Sequence, residues 1–322
     1  MTHDIVITED VWADELAERF RDRSVLRQPD AWSDRQQLCA LAAGARALVV
    51  RNRTPVDREL LAAAPRLEVV GRFGVGLDNI DMPAADAGGV VVVAAAGANA
   101  VSVAEHTLAL ALTLSRQLTE HNAAVRSGRW QRTPGRELAG RTWGLLGAGA
   151  TGRAVARIAG ALRMLVLGYD PYADPAAVRA AGIKLVSLDD LLATADVLSI
   201  HLPLTPRTRN LIGSETLARL RPGSLLINVG RGEVVDEAAL ASALRSGQVG
   251  GAGLDVRAAE PPPPGPLDDA PNVIFTPHVA GITRESQQRI ASIIAEDVIA
   301  VLDGKAAAHA AGAHSSSCRG EV

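Results

Sequence analysis

Four polar side chains with complementary chemistry occur in the second half of the sequence, each near the end of a predicted strand. They are Arg231, Asp255, Glu260 and His278. In an open α/β sheet the carboxyl ends of the strands meet at one edge, and ligands bind there. We therefore expect these four residues to converge although they are far apart along the chain.

The residue types suit the oxidation of a secondary alcohol or the reverse reduction. His278 can accept the hydroxyl proton near neutral pH, and Glu260 beside it would orient the imidazole and favour its protonated form. Arg231 can hold a substrate carboxylate with two hydrogen bonds and polarise the reacting carbonyl. Each residue taken alone could also be an ordinary solvated loop residue, so the interpretation needs a matching cofactor site.

A glycine-rich segment, Gly-Ala-Gly-Ala-Thr-Gly at 147–152, fits the pattern of a dinucleotide-binding turn. The motif alone is weak in a chain with 30 glycines, but an apolar strand precedes it and a helical stretch follows it. Gly147 would permit the tight turn, Gly149 would let the backbone approach a pyrophosphate, and Gly152 would let the helix pack on the strand. Free N–H groups at the helix start would face the anion.

Asp170 stands at the end of the next predicted strand, where a carboxylate can accept hydrogen bonds from the adenosine ribose hydroxyls. The same charge would repel the additional phosphate of NADP. No arginine follows directly, since Pro171 and Tyr172 come next. The sequence thus predicts NAD as the cofactor, with Asp255 near its nicotinamide end. The alternative is a structural glycine turn followed by a surface aspartate.

Strands and helical stretches alternate along the chain, which predicts α/β domains with parallel sheets. In the second half, six strands predict a doubly wound sheet; they are Trp143–Leu146, Leu165–Tyr169, Val197–Ile200, Ser224–Asn228, Gly250–Val256 and Val273–Thr276. The first part is predicted to contain strands Ile5–Thr8, Ala47–Val50, Leu67–Val70 and Val90–Val93 and helices Val11–Arg19 and Asp57–Ala63. Prolines between Arg257 and Asn272 exclude a regular helix there.

Two helices and two irregular stretches complete the predicted organisation. One helix starts near Asn99 or Ser102 and includes an apolar run up to Leu114, and another covers Thr283–Leu302. The polar stretch 116–140 is interpreted as an arm or linker. The tail from Lys305 is rich in alanine and serine and has little to bury, so we expect it to be loose.

Composition narrows the class of protein. The 322 residues predict two domains, and 48% hydrophobic residues allow a sizeable core. A net charge of −3, without a concentrated basic stripe, argues against nucleic acid or an anionic membrane surface as partner. No apolar run is long enough to span a membrane, and two cysteines provide neither a disulfide framework nor metal-ligand spacing. Because the start does not resemble a signal peptide, we expect a cytoplasmic protein.

From about residue 45 to 302 the chain resembles the D-isomer-specific 2-hydroxyacid dehydrogenases, especially their phosphoglycerate dehydrogenase-like branch. The motifs that carry the resemblance are Arg72-Phe-Gly-Val-Gly-Leu-Asp78-Asn79-Ile-Asp81, Asn99-Ala-Val-Ser102-Val-Ala-Glu105, His201-Leu-Pro-Leu-Thr-Pro-Arg-Thr208, Asn228-Val-Gly-Arg231-Gly232, Gly253-Leu-Asp255 to Glu260-Pro261, and Pro277-His278-Val-Ala-Gly281. The resemblance implies an α/β fold of two Rossmann-like doubly wound parallel-sheet domains. A flavodoxin-like substrate domain would comprise residues 1–98 and 283–322, and an NAD-binding domain residues 99–282.

The resemblance also implies roles for individual residues. The catalytic residues would be Arg231, Glu260 and His278. The cofactor would contact Gly147, Gly149, Ala150, Thr151, Gly152, Asp170, His201, Pro203, Thr208, Val229, Gly230, Arg231, Asp255, His278 and Gly281. The substrate would contact Arg51, Asn52, Arg53, Val75, Gly76, Asn99, Arg231 and His278, with backbone amides near Val75 and Gly76 at its carboxylate. No metal ion is expected.

The family usually forms dimers through the cofactor domain, so we expect a homodimer with stretch 116–140 as its arm. The chain ends soon after the last helix, and we therefore expect it to lack the regulatory extension of some phosphoglycerate dehydrogenases.

The choice of substrate depends on Arg51-Asn52-Arg53-Thr54, which follows a predicted strand of the substrate domain. A similar segment meets the substrate phosphate in the phosphoglycerate branch, and two arginines could bind a second anion, either phosphate or sulfonate. We therefore favour 3-phosphoglycerate or a similarly anionic acid such as sulfolactate. The alternatives are a glyoxylate or hydroxypyruvate reductase, in which this segment is only a solvated basic turn, and a non-catalytic NAD-sensing corepressor.

Overall fold

A computed structural model describes residues 3–10 and 14–314. The chain divides into two compact units: residues 1–99 with 283–322 form the first, and residues 100–282 form the second. The helix predicted to start at Val11 is described only from Asp14 onward, so its first residues lie outside the described part, as does Cys318.

Strands and helices alternate throughout the described residues. In chain order they are β1 Ile5–Ile7, α1 Asp14–Arg19, β2 Val25–Arg27, α2 Arg35–Gly44, β3 Ala47–Val50, α3 Arg58–Ala63, β4 Val69–Arg72, α4 Met82–Ala87, β5 Val91–Ala94, α5 Ala100–Arg116, α6 Leu118–Arg126, β6 Thr142–Leu146, α7 Ala150–Ala161, β7 Leu165–Tyr169, α8 Pro175–Ala180, β8 Lys184–Leu185, α9 Leu188–Thr194, β9 Val197–Ile200, α10 Ser214–Ala218, β10 Ser224–Asn228, α11 Glu237–Arg245, β11 Val249–Leu254, β12 Val273–Phe275 and α12 Arg284–Leu302.

The first unit contains a parallel sheet with the order β2-β1-β3-β4-β5. This is the strand order of a flavodoxin-like doubly wound sheet, so the predicted fold of this unit is confirmed. The central strands are buried because their residues are almost all apolar. Helix α12 packs closely on β4, since a Cβ atom at Gly71 would lie 2.9 Å from side-chain atoms of Ile294 and Val298.

The second unit contains a parallel sheet with the order β8-β7-β6-β9-β10-β11-β12. Chain order reverses between β6 and β9, as in Rossmann folds that bind dinucleotides at this point. The predicted doubly wound sheet is therefore confirmed, with the short edge strand β8 added to the six strands that the sequence predicted.

Helix α5 lies against β11 because that strand is rich in glycine. A Cβ atom at Gly253 would lie 3.0 Å from Cβ of Leu110, and one at Gly251 would lie 3.1 Å from a methyl group of Leu114. This close packing brings His106, one turn before Leu110, within 3.0 Å of the Thr276 hydroxyl after β12.

The prediction of a loose tail is wrong for residues 305–314. The Asp297 carboxylate on α12 accepts hydrogen bonds from the backbone N–H groups of Ala308, at 2.8 Å, and His309, at 3.0 Å. Ala310 then pairs antiparallel with Val93 at the edge of the sheet. A buried carboxylate therefore holds a segment whose own composition gives no sign of order.

Other differences concern short or polar elements. The sequence reading missed β2, α2 and β8, placed the start of β4 at Leu67 instead of Val69, and included Asp255 in a strand that ends at Leu254. The stretch 116–140, interpreted as an arm or linker, contains α6. No helix among the described residues has the length and apolar character needed to cross a membrane.

Candidate active site

The glycine-rich turn between β6 and α7 has three glycines with three different surroundings. Gly147 has a φ of +96°, and a Cβ atom there would lie 2.8 Å from the His201 carbonyl oxygen. A Cβ atom at Gly152 would lie 2.2 Å from the Gly147 carbonyl oxygen. At Gly149, by contrast, a Cβ atom would have no neighbour within 4 Å. Two glycines are thus needed for the turn itself, whereas Gly149 faces open space.

This open face is suited to an anion. Gly149 is the N-cap of α7 and supplies no side-chain hydrogen bond to the first helical N–H groups, which leaves these groups and the positive helix end available for phosphate. The Asp170 carboxylate lies beside the turn, where it accepts hydrogen bonds from the backbone N–H of Ala148 at 2.9 Å and of Tyr172 at 3.0 Å. The residues present therefore fit a dinucleotide.

The loop after β9 lies on the other side of the strand-order reversal. Burial lowers the pKa of His201 to about 3, so its ring is neutral at pH 7. The His201 Nε2 atom is 2.9 Å from the Ser199 hydroxyl, and its buried Nδ1 has no hydrogen-bond partner among the described residues. The Thr208 hydroxyl donates to the Pro203 carbonyl at 2.7 Å, which closes the loop into a compact turn.

Arg231 occupies a turn after β10 that its neighbours hold rigidly. The Asn228 side chain accepts a hydrogen bond from Gly230 N–H at 3.1 Å and donates to the Arg231 carbonyl at 3.0 Å. A Cβ atom at Gly232 would lie 1.9 Å from the carbonyl carbon of Arg257. Only glycine therefore lets the Arg231 turn lie against the segment that leads to Glu260.

Glu260 and His278 form a hydrogen-bonded pair. The distance between Glu260 Oε2 and His278 Nδ1 is 2.7 Å, and both side chains remain partly exposed. Burial alone would raise the pKa of Glu260, but the hydrogen bond and charge of His278, with the charge of Arg231 as a smaller contribution, bring the pKa below its ordinary value. Glu260 is therefore a carboxylate at neutral pH, with His278 and Arg231 in its electrostatic surroundings.

The loop that carries Glu260 is anchored by an ion pair that sequence reasoning missed. Two guanidinium nitrogens of Arg257, Nε and Nη2, each donate to one oxygen of the Glu237 carboxylate at 2.9 Å, and the arginine also lies over the Phe275 ring. The hydrogen bond from Arg257 lowers the pKa of Glu237, although burial opposes it. No regular helix holds this proline-rich segment, so side-chain contacts fix it instead.

Asp255 organises the backbone around His278. Its carboxylate is only 1% exposed and accepts hydrogen bonds from Val279 N–H at 2.9 Å and Ala280 N–H at 2.8 Å. The Asp255 carbonyl accepts a hydrogen bond from His278 N–H at 2.8 Å. Asp255 and His278, which the sequence placed at one sheet edge, are thus connected through a shared turn, which leads on to Gly281.

In the first unit, Glu9 fixes the loop that carries the predicted anion-binding arginines. Its carboxylate, in a residue only 6% exposed, accepts hydrogen bonds from the backbone N–H groups of Arg51 and Thr54 at 2.8 Å and of Arg53 at 3.0 Å. Asn79 donates to the carbonyls of Arg51 and Thr54 at 2.8 and 2.7 Å. The sequence offered no signal for Glu9, because its partners are distant backbone groups.

The two arginines of this loop differ. The Arg53 guanidinium stacks 4.8 Å above the centre of the Trp32 ring. Arg51 is partly buried, burial lowers its pKa although nearby Glu9 opposes this, and its guanidinium has no hydrogen-bond or ion-pair partner within residues 3–10 and 14–314. An arginine stays charged at neutral pH, so Arg51 presents a cation that an anion could pair with.

The remaining predicted substrate contacts lie elsewhere in the first unit. Asn52 accepts a hydrogen bond from the Arg72 guanidinium at 2.8 Å, and Arg72 also donates to the Phe73 carbonyl. This arginine therefore joins the loop of Arg51 to the turn that leads to Val75 and Gly76. Asn99 is the last residue of this part of the unit, and its Oδ1 has no hydrogen-bond partner in the described chain.

Comparisons with known proteins identify the family of this chain. Residues 108–280 match the NAD-binding domain of the D-isomer specific 2-hydroxyacid dehydrogenases. D-3-phosphoglycerate dehydrogenase of Mycobacterium leprae is 46% identical over 303 residues, which cover 94% of this chain and 57% of that relative. The chain thus spans little more than half the length of that relative.

Two further proteins are similar over nearly their whole length. (S)-sulfolactate dehydrogenase of Chromohalobacter salexigens is 45% identical over 300 residues, covering 92% of this chain and 97% of the relative. The crystal structure of D-lactate dehydrogenase from Aquifex aeolicus complexed with NAD and lactic acid has a TM-score of 0.85 and 30% identity, covering 94% of this chain and 96% of that one. This chain therefore belongs to the D-isomer specific 2-hydroxyacid dehydrogenase family.

Proposed function

We propose that this protein is an NAD-dependent oxidoreductase that interconverts a small D-2-hydroxy acid and its 2-oxo acid. The observation that carries the proposal is the hydrogen bond of 2.7 Å between His278 Nδ1 and Glu260 Oε2, beside a turn that carries Arg231. An acid–base histidine needs one ring nitrogen fixed by a carboxylate and the other directed to the substrate, and this pair supplies the first half of that arrangement.

His278 performs the proton transfer in this proposal. A carboxylate can only accept a hydrogen bond, so Nδ1 carries the proton shared with Glu260 and leaves Nε2 for the substrate. During oxidation the neutral ring takes the substrate hydroxyl proton on Nε2 as the C–H bond breaks, and during reduction the imidazolium returns that proton to the carbonyl oxygen. The bound nicotinamide would accept or supply the hydride. Glu260 stabilises the imidazolium without taking its proton.

Arg231 binds and polarises the substrate in the same proposal. Its guanidinium can pair with the substrate carboxylate and place positive charge near the oxygen on which negative charge develops. The turn held by Asn228 and Gly232 restricts where the guanidinium can reach. In the first unit, main-chain N–H groups near Val75 and Gly76 and the side chain of Asn99 are further groups proposed to contact the substrate.

The proposed cofactor is NAD rather than NADP. Its pyrophosphate would meet Gly149, Ala150 and Thr151 at the start of α7, and its adenosine ribose would meet the Asp170 carboxylate. The contacts inferred toward the rest of the cofactor are His201, Pro203, Thr208, Val229, Gly230, Asp255 and Gly281.

The favoured substrate is a doubly anionic acid such as 3-phosphoglycerate or sulfolactate. The partly buried Arg51 guanidinium lacks a partner in the described residues and can form charge-assisted bonds with a phosphate or sulfonate. Two similar proteins are named for substrates that carry such a second acid group. A glyoxylate or hydroxypyruvate reductase is the second candidate. The guanidinium of Arg53 is stacked on Trp32, so only one of the two arginines has no partner among the described residues and can pair with a second anion.

We further infer a homodimer formed through the NAD-binding unit. Helices α5 and α6 and the stretch after them expose large apolar side chains, including Trp130 at 76% exposure, and large apolar side chains left in water are often covered at an interface. The other exposed members are Val101, Leu118 and Val125. Light scattering at micromolar concentration should give twice the monomer mass, and replacing Trp130 with Ser should lower it; a monomeric parent would contradict this inference.

The direct test is a turnover assay with NAD or NADP as the oxidant of D-3-phosphoglycerate, sulfolactate and D-lactate, and with NADH or NADPH as the reductant of glyoxylate and hydroxypyruvate. We expect the highest kcat/KM with NAD and a doubly anionic acid. A preference for glyoxylate would favour the second candidate. Binding of NAD without turnover of any acid would overturn the enzymatic proposal and favour an NAD-sensing corepressor.

A further inference from the structure

A hydrogen-bonded chain of three side chains lies behind the turn that carries His278, entirely within the second unit. Thr276 Oγ1 is 2.5 Å from Asp255 Oδ1. His106 Nε2, on α5, is 3.0 Å from the same Thr276 oxygen and 3.6 Å from Asp255 Oδ1. The ring of His106 thus lies among the groups that support His278.

The direction of each hydrogen bond follows from the donors available. A carboxylate accepts only, and a threonine hydroxyl has one proton, so that proton is directed to Asp255. The Thr276 oxygen can then only accept from His106. His106 must therefore carry its proton on Nε2 and donate it, which fixes the tautomer of the ring.

The other end of the chain reaches the backbone of His278. Three consecutive N–H groups, those of His278, Val279 and Ala280, donate to the carbonyl or carboxylate oxygens of Asp255. His278 has a φ of +55°, a left-handed conformation that is uncommon for a residue with a side chain and that surrounding contacts must maintain. The orientation of the imidazole thus depends on where the Asp255 carboxylate is held.

We propose that His106 is a positioning residue for the dehydrogenase reaction, acting through Thr276 and Asp255 to keep the turn of His278 in its reactive orientation. The inference rests on the proposed function, since His278 is the acid–base group only in that proposal. It predicts that His106 affects the rate of the chemical step more than the binding of substrate or cofactor.

The first experiment compares two substitutions at His106. Leucine has a similar size but no donor, so His106→Leu should lower kcat by about 3- to 10-fold, as expected for one lost hydrogen bond, with the KM for NAD changed less than about twofold. Glutamine can place an N–H donor near the position of Nε2, so His106→Gln should recover most of kcat. His3→Leu is the matched control, because His3 contacts a hydroxyl, that of Ser24, at 3.0 Å in the other unit.

A double-mutant cycle tests whether the effect passes through Thr276. Thr276→Val removes the hydroxyl, together with its bond to Asp255, and keeps the shape, so it should lower kcat at least as much as His106→Leu does. Adding His106→Leu to Thr276→Val should then cause little further loss, because the hydroxyl through which His106 acts is already missing. Three results would each overturn the proposal. They are a double variant whose loss in kcat is the product of the two single losses, a kcat of His106→Leu equal to that of the parent, and equal losses in kcat for His106→Gln and His106→Leu. Thermal unfolding of every variant identifies a loss that comes from misfolding.

A measurement without turnover separates this inference from the proposed function. Nitrogen-15 NMR of histidine side chains should show His106 as the Nε2–H tautomer, and His106→Leu should shift or broaden the ring signals of His278 whereas His3→Leu should not. Unchanged His278 signals would overturn the positional coupling even in an active enzyme. If His106→Leu changes the His278 signals but the parent protein oxidises none of the acids, the proposed function is wrong. The structural coupling between His106 and His278 is then still supported.

Discussion

The side chains of His278 and Arg51 are held in opposite ways. His278 is already bonded to Glu260 at 2.7 Å, and its backbone is tied to Asp255. In the Arg51 loop, Glu9 fixes the backbone, but the Arg51 guanidinium has no partner in the described chain. A group that takes part in every turnover needs a fixed orientation, whereas a group that selects a substrate needs an unused charge. Under the proposed function, we therefore expect the type of reaction and the choice of acid to depend on separate parts of the sequence.

The largest expected effect comes from removing the acid–base group. His278→Ala should lower kcat by roughly 10²- to 10⁴-fold, the range typical of positioned acid–base catalysis. NAD affinity, measured by fluorescence or calorimetry, should change little because the pyrophosphate and adenosine contacts are elsewhere. Full activity in this variant would remove His278 from the mechanism.

A smaller, selective effect is expected from the arginine without a partner. Arg51→Ala should lower kcat/KM for a doubly anionic acid by roughly 10- to 100-fold, because a hydrogen bond to a charged group is lost, and should affect D-lactate little. Arg53→Ala is the matched control and should cost less, since its guanidinium is engaged with Trp32. Equal losses for both acids would show that Arg51 does not recognise a second anion.

The cofactor preference should depend on Asp170. Asp170→Ala removes the charge that would repel the 2′-phosphate of NADP, and it should reduce the NAD over NADP ratio of kcat/KM by about tenfold, equivalent to roughly 1.4 kcal/mol. Steady-state kinetics with both cofactors measures this ratio. An NADP preference in the parent protein would contradict the assignment of Asp170.

The mildest change is expected in the pH dependence of oxidation. The hydrogen bond and charge of His278 hold the pKa of Glu260 below its ordinary value, so Glu260 becomes protonated, and its support of His278 is lost, only as the pH falls well into the acid range. Glu260→Gln removes the carboxylate at every pH with little change of shape, so the acid limb of the pH–rate profile should no longer contain the fall in rate that comes from protonation of Glu260. An acid limb identical in the variant and the parent would show that Glu260 does not act on His278.

The sheets and their carboxyl edge were predictable because apolar strands such as Val197–Ile200 and Ser224–Asn228 stand out from polar loops. The three-residue strand Val25–Arg27 was not, since it is short, partly exposed and only partly apolar. The ordered tail was missed for a different reason: the Asp297 carboxylate that holds it lies on another element.

The same distinction applies within the site. Arg231, Glu260 and His278 could be proposed as site residues from the sequence because their residue types are suited to binding a carboxylate and transferring a proton. The supporting groups, such as Glu9, Glu237 and His106, bond to backbone, guanidinium or hydroxyl groups far away in sequence. Such contacts exist only once the chain has folded, so no local pattern indicates them.

The most direct test of the two-part account is a selectivity ratio, the kcat/KM for the better of D-3-phosphoglycerate and sulfolactate divided by that for D-lactate. We expect Arg51→Ala to lower this ratio by roughly 10-fold or more and Glu260→Gln to leave it unchanged while slowing both reactions. A ratio that falls in Glu260→Gln as much as in Arg51→Ala would contradict the separation of reaction type from substrate choice.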